Sequence, residues 1–278
     1  MYDGVMNYSN KKMALTLVLT ALFLSFTGFP VLANTTESID KNPQSVEDNS
    51  IVMGVYDAPP NIIRNEDGIK GISPQYIKVI EMVSELEVTL KPMPYSRLTL
   101  SSTRKNTGVI NSFIHPELEK TSEILVRNGK VKVFLVTLNG VDLYSKSVNE
   151  DVSVGMTRGL LSIVKELKHS EHKWWNVVSV NDEEHGLRAV MLGRLDGVYV
   201  TDIAYDYFKD LDPRMKEANF TLTDAGFLDI YLWVRKGEAN KPKYQRLKTI
   251  VNRITLNGRL PVKWWDISDF LDFFSRSE

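Results

Sequence analysis

Short β-branched runs alternate with segments of helical periodicity from Ile51 to Ile254, and most of the runs end in polar residues. This alternation constrains the fold more than any other feature, because strands separated by helices pair in parallel and carry the helices on their faces. Ile51–Tyr56 reads as a buried strand stopped by Asp57-Ala58-Pro59-Pro60, with turn chemistry at Asn65-Glu66-Asp67-Gly68. Ser73 is the expected N-cap with Pro74 at the first helical position. Tyr76, Ile77, Val79, Ile80 and Val83 follow at helical spacing, and Val88-Thr89-Leu90 resumes strand character. Further strands are expected at Gly108–Phe113, Val131–Leu138, Val152–Met156, Leu195–Val200 and Ile230–Val234. Helices are expected at Leu160–Leu167, Glu183–Leu192 and Ile203–Phe208, and an amphipathic one runs through Tyr244, Leu247, Ile250, Val251 and Ile254 to Asn257-Gly258. The βα units fall into two sets, which predicts an α/β protein of two lobes.

The residues ahead of Ile51 read as an address. Lys11 and Lys12 precede the apolar run Met13–Phe26, Gly28 and Pro30 break any helix, and Val31-Leu32-Ala33 supplies a cleavage site. The apolar core is well short of the ~20 residues that a spanning helix needs. Residues 1–33 are therefore expected to be a signal peptide, cleaved after Ala33, and the periplasm is the expected location. Met6 and Met13 are alternative starts. Residues 34–50 are polar and predict a disordered leader.

The chain has no cysteine, so no disulfide or lipid-modified cysteine is available and stability must come from a hydrophobic core. The formal charge of −1 becomes about −2 once Asp3, Lys11 and Lys12 are removed, a balance that points away from nucleic acid and anionic lipid as partners. No later apolar run is long enough for stable membrane insertion. A monomer that binds a small molecule is the expectation.

Ligands of open α/β sheets gather at the carboxyl ends of strands. That rule selects Tyr56, Asp57, Asn111, Ser112, Thr157, Arg158, Thr201 and Asp202, to which His115 and the loop residue Arg97 are added as ligand candidates. Each has a structural alternative: Arg97 as a surface arginine stacked on Tyr95, Arg158 as an exposed turn residue, Asp202 as the cap of the helix after it. His169 and His172 stand three apart with His185 further on, but their surroundings are charged and no convergent further ligands are evident, so no metal and no cofactor is expected. Trp174-Trp175 and Trp264-Trp265 read as buried pairs rather than ligand-stacking ones. No Ser–His–Asp spacing, HExxH or glycine-rich phosphate loop is present, so an enzyme is not expected.

Several segments together resemble the family 3 extracellular solute-binding proteins, the periplasmic receptors of polar amino acid ABC importers. They are Val55–Pro60 with Asp67–Pro74, Met93-Pro94-Tyr95-Ser96-Arg97, Ser153–Gly159, Leu192–Val198 and Lys248–Trp264. The resemblance implies a type II periplasmic-binding fold in which each lobe is a mainly parallel sheet flanked by helices. It places lobe 1 at 51–132 and 230–278, lobe 2 at 138–225, and the hinge at 133–137 and 226–229. It also implies that a small polar or anionic solute is captured between the lobes for ABC import. An orphan receptor reporting to a membrane sensor and a cyclohexadienyl dehydratase-like enzyme are the alternatives. The family's carboxylate-clamping arginine is absent from His115-Pro116-Glu117-Leu118-Glu119-Lys120, and Leu160 replaces a threonine. Arg97 and Arg158 are left as the candidates to hold an anion.

Overall fold

The computed structural model describes residues 48–66, 68–101, 107–167 and 174–255. The expected signal peptide, most of the expected leader, the His169–His172 stretch, Asn257-Gly258 and Trp264-Trp265 lie outside the described residues. In chain order the elements are β1 (Ser50–Tyr56), β2 (Ile63–Asn65), β3 (Gly68–Lys70), α1 (Ile72–Met82), β4 (Glu87–Met93), α2 (Tyr95–Leu98), β5 (Val109–Phe113), α3 (Pro116–Thr121) and β6 (Ser122–Leu138). They continue with β7 (Ser153–Thr157), β8 (Asn176–Val180), α4 (Glu183–Met191), β9 (Gly197–Thr201), α5 (Asp202–Leu211), α6 (Pro213–Glu217), β10 (Phe220–Arg235) and α7 (Pro242–Ile254).

Eight strands form a sheet in the order β4-β1-β5-β10-β6-β9-β7-β8. The outer three on each side carry the parallel pairings β1·β4, β1·β5, β7·β8 and β7·β9. In the centre, β6 and β10 are long antiparallel strands that run through both lobes. The two lobe sheets are thus joined into one curled sheet by a shared pair of strands. β5 pairs with β10 at Ile230–Val234, whereas β9 pairs with β6 at Val133–Val136. Between those rows the ladder is a two-strand ribbon, Lys130–Lys132 against Phe227–Asp229. A register shift at Asp224/Gly226 borders it, where Gly226 has φ 116 and donates its N–H to Asp224 Oδ1 at 2.9 Å.

Burial follows the amphipathic pattern. One core packs α1 and α7 on β1 through Ile51, Met53, Val55, Ile80, Leu247 and Val251. Another packs α4 and α5 on the second lobe through Leu187, Val190, Val198, Val200 and Phe208. There α4 comes so close to β9 that a Cβ on Gly186 would lie 2.5 Å from Val198 Cγ2. A third cluster holds residues of both lobes, Tyr95, Leu98 and Ile110 with Met156, Leu160 and Ile163.

Several local expectations change. The strand starts at Ser50, not Ile51, and Arg246 donates to Asn49 Oδ1 at 3.0 Å, so order begins ahead of the predicted leader boundary. Ser73 is not the N-cap. The N–H groups of Ile72 and Ser73 bond to the carbonyls of Pro60 and Asn61 at 3.1 Å each, and Gly71 takes the cap position, because the folded-back loop satisfies the helix end. Leu160–Leu167 gives a 3-10 helix at Leu161–Glu166 rather than an α-helix. Val133–Val136, within the expected hinge segment, pairs with β9. No helix among the described residues is long and apolar enough to cross a membrane.

Candidate functional site

On the first lobe the site is built from the ends of β1 and β5 and from the short helices α2 and α3. Tyr56 closes β1, and its ring meets that of Tyr95 edge-on, with centroids 5.8 Å apart. Tyr95 is buried at 3% exposure, and its hydroxyl lies 2.9 Å from Ser112 Oγ at the end of β5. The Ser112 carbonyl accepts from the Trp233 indole N–H at 3.3 Å, which locks β5 to the long central strand. His115 caps α3: its Nδ1 accepts the Glu117 N–H at 3.2 Å. That bond leaves the ring proton of the neutral form on Nε2. Burial holds the imidazole below its ordinary pKa, with Gly159 opposing the shift.

On the second lobe Thr157 ends β7 and is buried at 1% exposure. The next residues turn toward the first lobe, and Gly159 adopts φ 92. A Cβ on Gly159 would lie 2.9 Å from Tyr95 Cδ1 and 3.1 Å from the Ser96 nitrogen, so the lobes touch here. Asp182 caps α4 by accepting the His185 N–H at 2.9 Å. Glu183 is the first residue of α4. Its Oε1 accepts both the Thr201 N–H at 2.7 Å and the Thr201 hydroxyl at 2.8 Å, leaving Oε2 without a hydrogen bond. The residue is half-buried, and desolvation pushes its pKa up to about 7 despite the two Thr201 bonds. Asp182 and Asp202 raise it further. Asp202 opens α5 and accepts the Ile203 N–H at 2.9 Å; its pKa is also raised, again chiefly by burial.

The lobes meet at Tyr56. Its hydroxyl is buried, with Thr157 of the second lobe beside it as the side chain that favours its ionised form and the Glu183 and Asp182 carboxylates opposing it. Burial and those two carboxylates raise its pKa.

Of the residues selected from the sequence, Tyr56, Ser112, His115, Thr157 and Asp202 are placed at these facing strand and helix ends. Asp57 is beside them, but its carboxylate pairs with Arg64 at 2.9 Å. Arg97 on α2 and Arg158 after β7 are exposed. The Arg158 N–H bonds to the Val180 carbonyl at 2.7 Å. Thr201, also selected by the strand-end rule, holds Glu183 Oε1; Tyr95, Gly159, Asp182 and Glu183 were not selected. The same strand-end rule would have found Asp182 and Glu183 had Asn176–Val180 been read as a strand. Trp175 is buried, with Trp174 edge-on to it at 6.0 Å and Tyr144 at 5.2 Å. Among the described residues no group of His, Cys, Asp or Glu is arranged to hold a metal ion.

No protein-family model and no curated protein sequence matches the chain. Solved structures do. A mutant ArgBP from T. maritima is similar over 83% of this chain and 96% of its own, with TM-score 0.59 at 18% identity. An ancestral amino acid-binding protein described as a precursor of cyclohexadienyl dehydratase is similar over 78% and 96%, with TM-score 0.60 at 14% identity. The Bordetella pertussis BvgS periplasmic VFT2 domain is similar over 82% and 93%, with TM-score 0.57 at 14% identity. The fold is therefore the two-lobe periplasmic-binding-protein fold expected from the sequence.

Proposed function

We propose that this chain is a periplasmic receptor that closes two lobes on a small polar solute without covalent chemistry. The observation that carries this reading is the meeting of residues at strand and helix ends from both lobes: Tyr56 with Thr157 and Glu183, and Tyr95 with Gly159. The hinge is the ribbon Lys130–Lys132 with Phe227–Asp229, where the lobes share only two strands. Lobe 1 then comprises the chain before the ribbon and from Ile230 onward, and lobe 2 the chain between. The solute-binding reading is supported by the likeness to ArgBP and to an ancestral amino acid-binding protein. Export with cleavage after Ala33 delivers the receptor to the periplasm, where it acts as a monomer and hands its solute to an ABC permease.

A second reading, a receptor that reports to a membrane sensor, is favoured by the likeness to the periplasmic domain of BvgS. An anionic solute would have to recruit Arg97 or Arg158 from their exposed positions. The test is a thermal-shift screen of amino acids, amines and organic acids, since a ligand at a hundred times its Kd adds about 2.7 kcal/mol of stability. A hit should be weakened by Ser112→Ala and Thr157→Val. A hit indifferent to those changes and to Arg97→Ala and Arg158→Ala places the site elsewhere, and turnover of prephenate or arogenate replaces the receptor by an enzyme. Pull-down with the neighbouring permease or sensor separates the two receptor readings.

A further inference from the structure

Resting on the receptor reading and its hinge, we infer that the lobes are closed at rest, held without solute by an apolar seam on the inner face of the hinge ribbon and by the seat of Gly159 on Tyr95. The ribbon is amphipathic. Val131 and Leu228 are directly paired across it and are 5% and 7% exposed. The flanking pairs, Lys130 with Asp229 and Lys132 with Phe227, alternate to the other face, where the exposed Lys130 lies 4.1 Å from the centre of a half-exposed Phe227 ring. A two-strand ribbon has no neighbouring strand beside it, so what buries Val131 and Leu228 must pack over their face. They belong to one packed cluster with Tyr95 and Ile110 of the first lobe and Val133, Met156, Tyr199 and Ala225 of the second. Swinging the lobes apart returns that face to water.

The second contact joins the lobes directly. A Cβ on Gly159 would lie 2.9 Å from Tyr95 Cδ1 and 3.1 Å from the Ser96 nitrogen, so the glycine rests on the first lobe with no side chain between. Tyr95 is fixed by Ser112 Oγ at 2.9 Å from its hydroxyl and by the edge-on ring of Tyr56, which makes the seat rigid. Both contacts are between protein groups, and neither needs a solute to form. Opening therefore exposes apolar surface with no compensating contact, and the open form is the minor one. A receptor in this state admits solute only while open, which slows association and lowers the apparent affinity by the open fraction.

The chain has no cysteine, so nitroxide labels on Lys78→Cys of α1 and Lys216→Cys of α6, both exposed positions on different lobes, report the interlobe distance by pulsed electron resonance. Protein exported from cells expressing the full chain is measured as purified and again after bound solute has been stripped by unfolding in guanidinium, dialysis and refolding. The expected result is one short distance, the same before and after stripping. Leu228→Ser should add a second, longer distance and raise the open fraction at least about tenfold, equivalent to about 1.4 kcal/mol. Val131→Thr, which keeps the shape and adds a hydroxyl, and Gly159→Ala, which obstructs the seat, should shift the balance the same way, and they carry the test if Leu228→Ser shows no cooperative melt. A longer distance in stripped than in unstripped wild type overturns the inference and leaves the receptor reading intact, since closure then needs the solute. A distance unchanged in every folded variant also overturns it, because the ribbon face is then buried by one lobe alone. The receptor reading fails separately, if no amino acid, amine or organic acid of the thermal-shift screen stabilises either wild type or the opened Leu228→Ser.

Discussion

One oxygen of Glu183 accepts both the N–H and the hydroxyl of Thr201, at 2.7 and 2.8 Å, tying the start of α4 to the end of β9. Those bonds, and the helix N-terminus, favour the ionised carboxylate. Desolvation wins, aided by Asp182 and Asp202, and the pKa rises to about 7.

The raised value gives a stability signature. Between the ordinary 4.5 and about 7, the folded chain binds a proton at Glu183 that the unfolded chain has lost. This group's contribution is therefore undiminished below pH 4.5, falls as pH rises to about 7, and stays low above it. Glu183→Gln should match wild type at pH 4.5 and exceed it at pH 8, by at most about 3 kcal/mol. Urea melts at the two pH values measure the difference; equal gains at both would show that the carboxyl is ionised throughout.

Gly159 sets how closely the lobes approach. Its φ of 92 and the 2.9 Å from its Cβ direction to the Tyr95 ring leave no room for a side chain. Gly159→Ala should cost about 1–3 kcal/mol through backbone strain and the clash. The lobes should also sit further apart, read as a larger radius of gyration in solution scattering. A tighter or unchanged radius would mean that the contact is not what limits closure.

His115 is both a helix cap and a cleft residue. His115→Ala should cost about 1 kcal/mol by orphaning the Glu117 N–H, and His115→Asn should restore most of it. Because burial lowers the imidazole pKa, the unfolded chain binds protons more readily. Wild type should thus lose stability relative to His115→Asn as pH falls below about 6.5. Chemical denaturation from pH 8 to 5 tests the sign.

The packing of α4 on β9 is tight at Gly186. Gly186→Ala should destabilise by about 1–3 kcal/mol, since Val198 on a central strand must move to admit the methyl. A second-site Val198→Ala should recover part of the loss, and absence of any rescue would place the strain elsewhere.

Mass spectrometry of periplasmic extract should find a mature N-terminus at Asn34. Intact precursor in the membrane fraction would instead indicate an uncleaved anchor.

Local pattern was enough for α1, α4 and α7, whose apolar residues recur every three or four positions, and for β1, β5 and β9, whose runs stop at polar residues. The same strand-end rule selected Tyr56, Ser112 and Thr157. It failed where pattern and environment part. β8 was missed because Asn176–Val180 lies at the sheet edge and none of its residues is fully buried. The full lengths of β6 and β10 were missed because each runs through two lobes and the hinge ribbon, so no single alternation holds along it. Charge in the cleft was decided by tertiary structure alone. Sequence shows two arginines beside strand ends, but whether a side chain faces the cleft or solvent depends on the direction in which the loop leaves the sheet. Arg97 and Arg158 are exposed and Glu183 is half-buried, and desolvation, which exists only after the chain has packed, is what makes that carboxyl the distinctive group of the site.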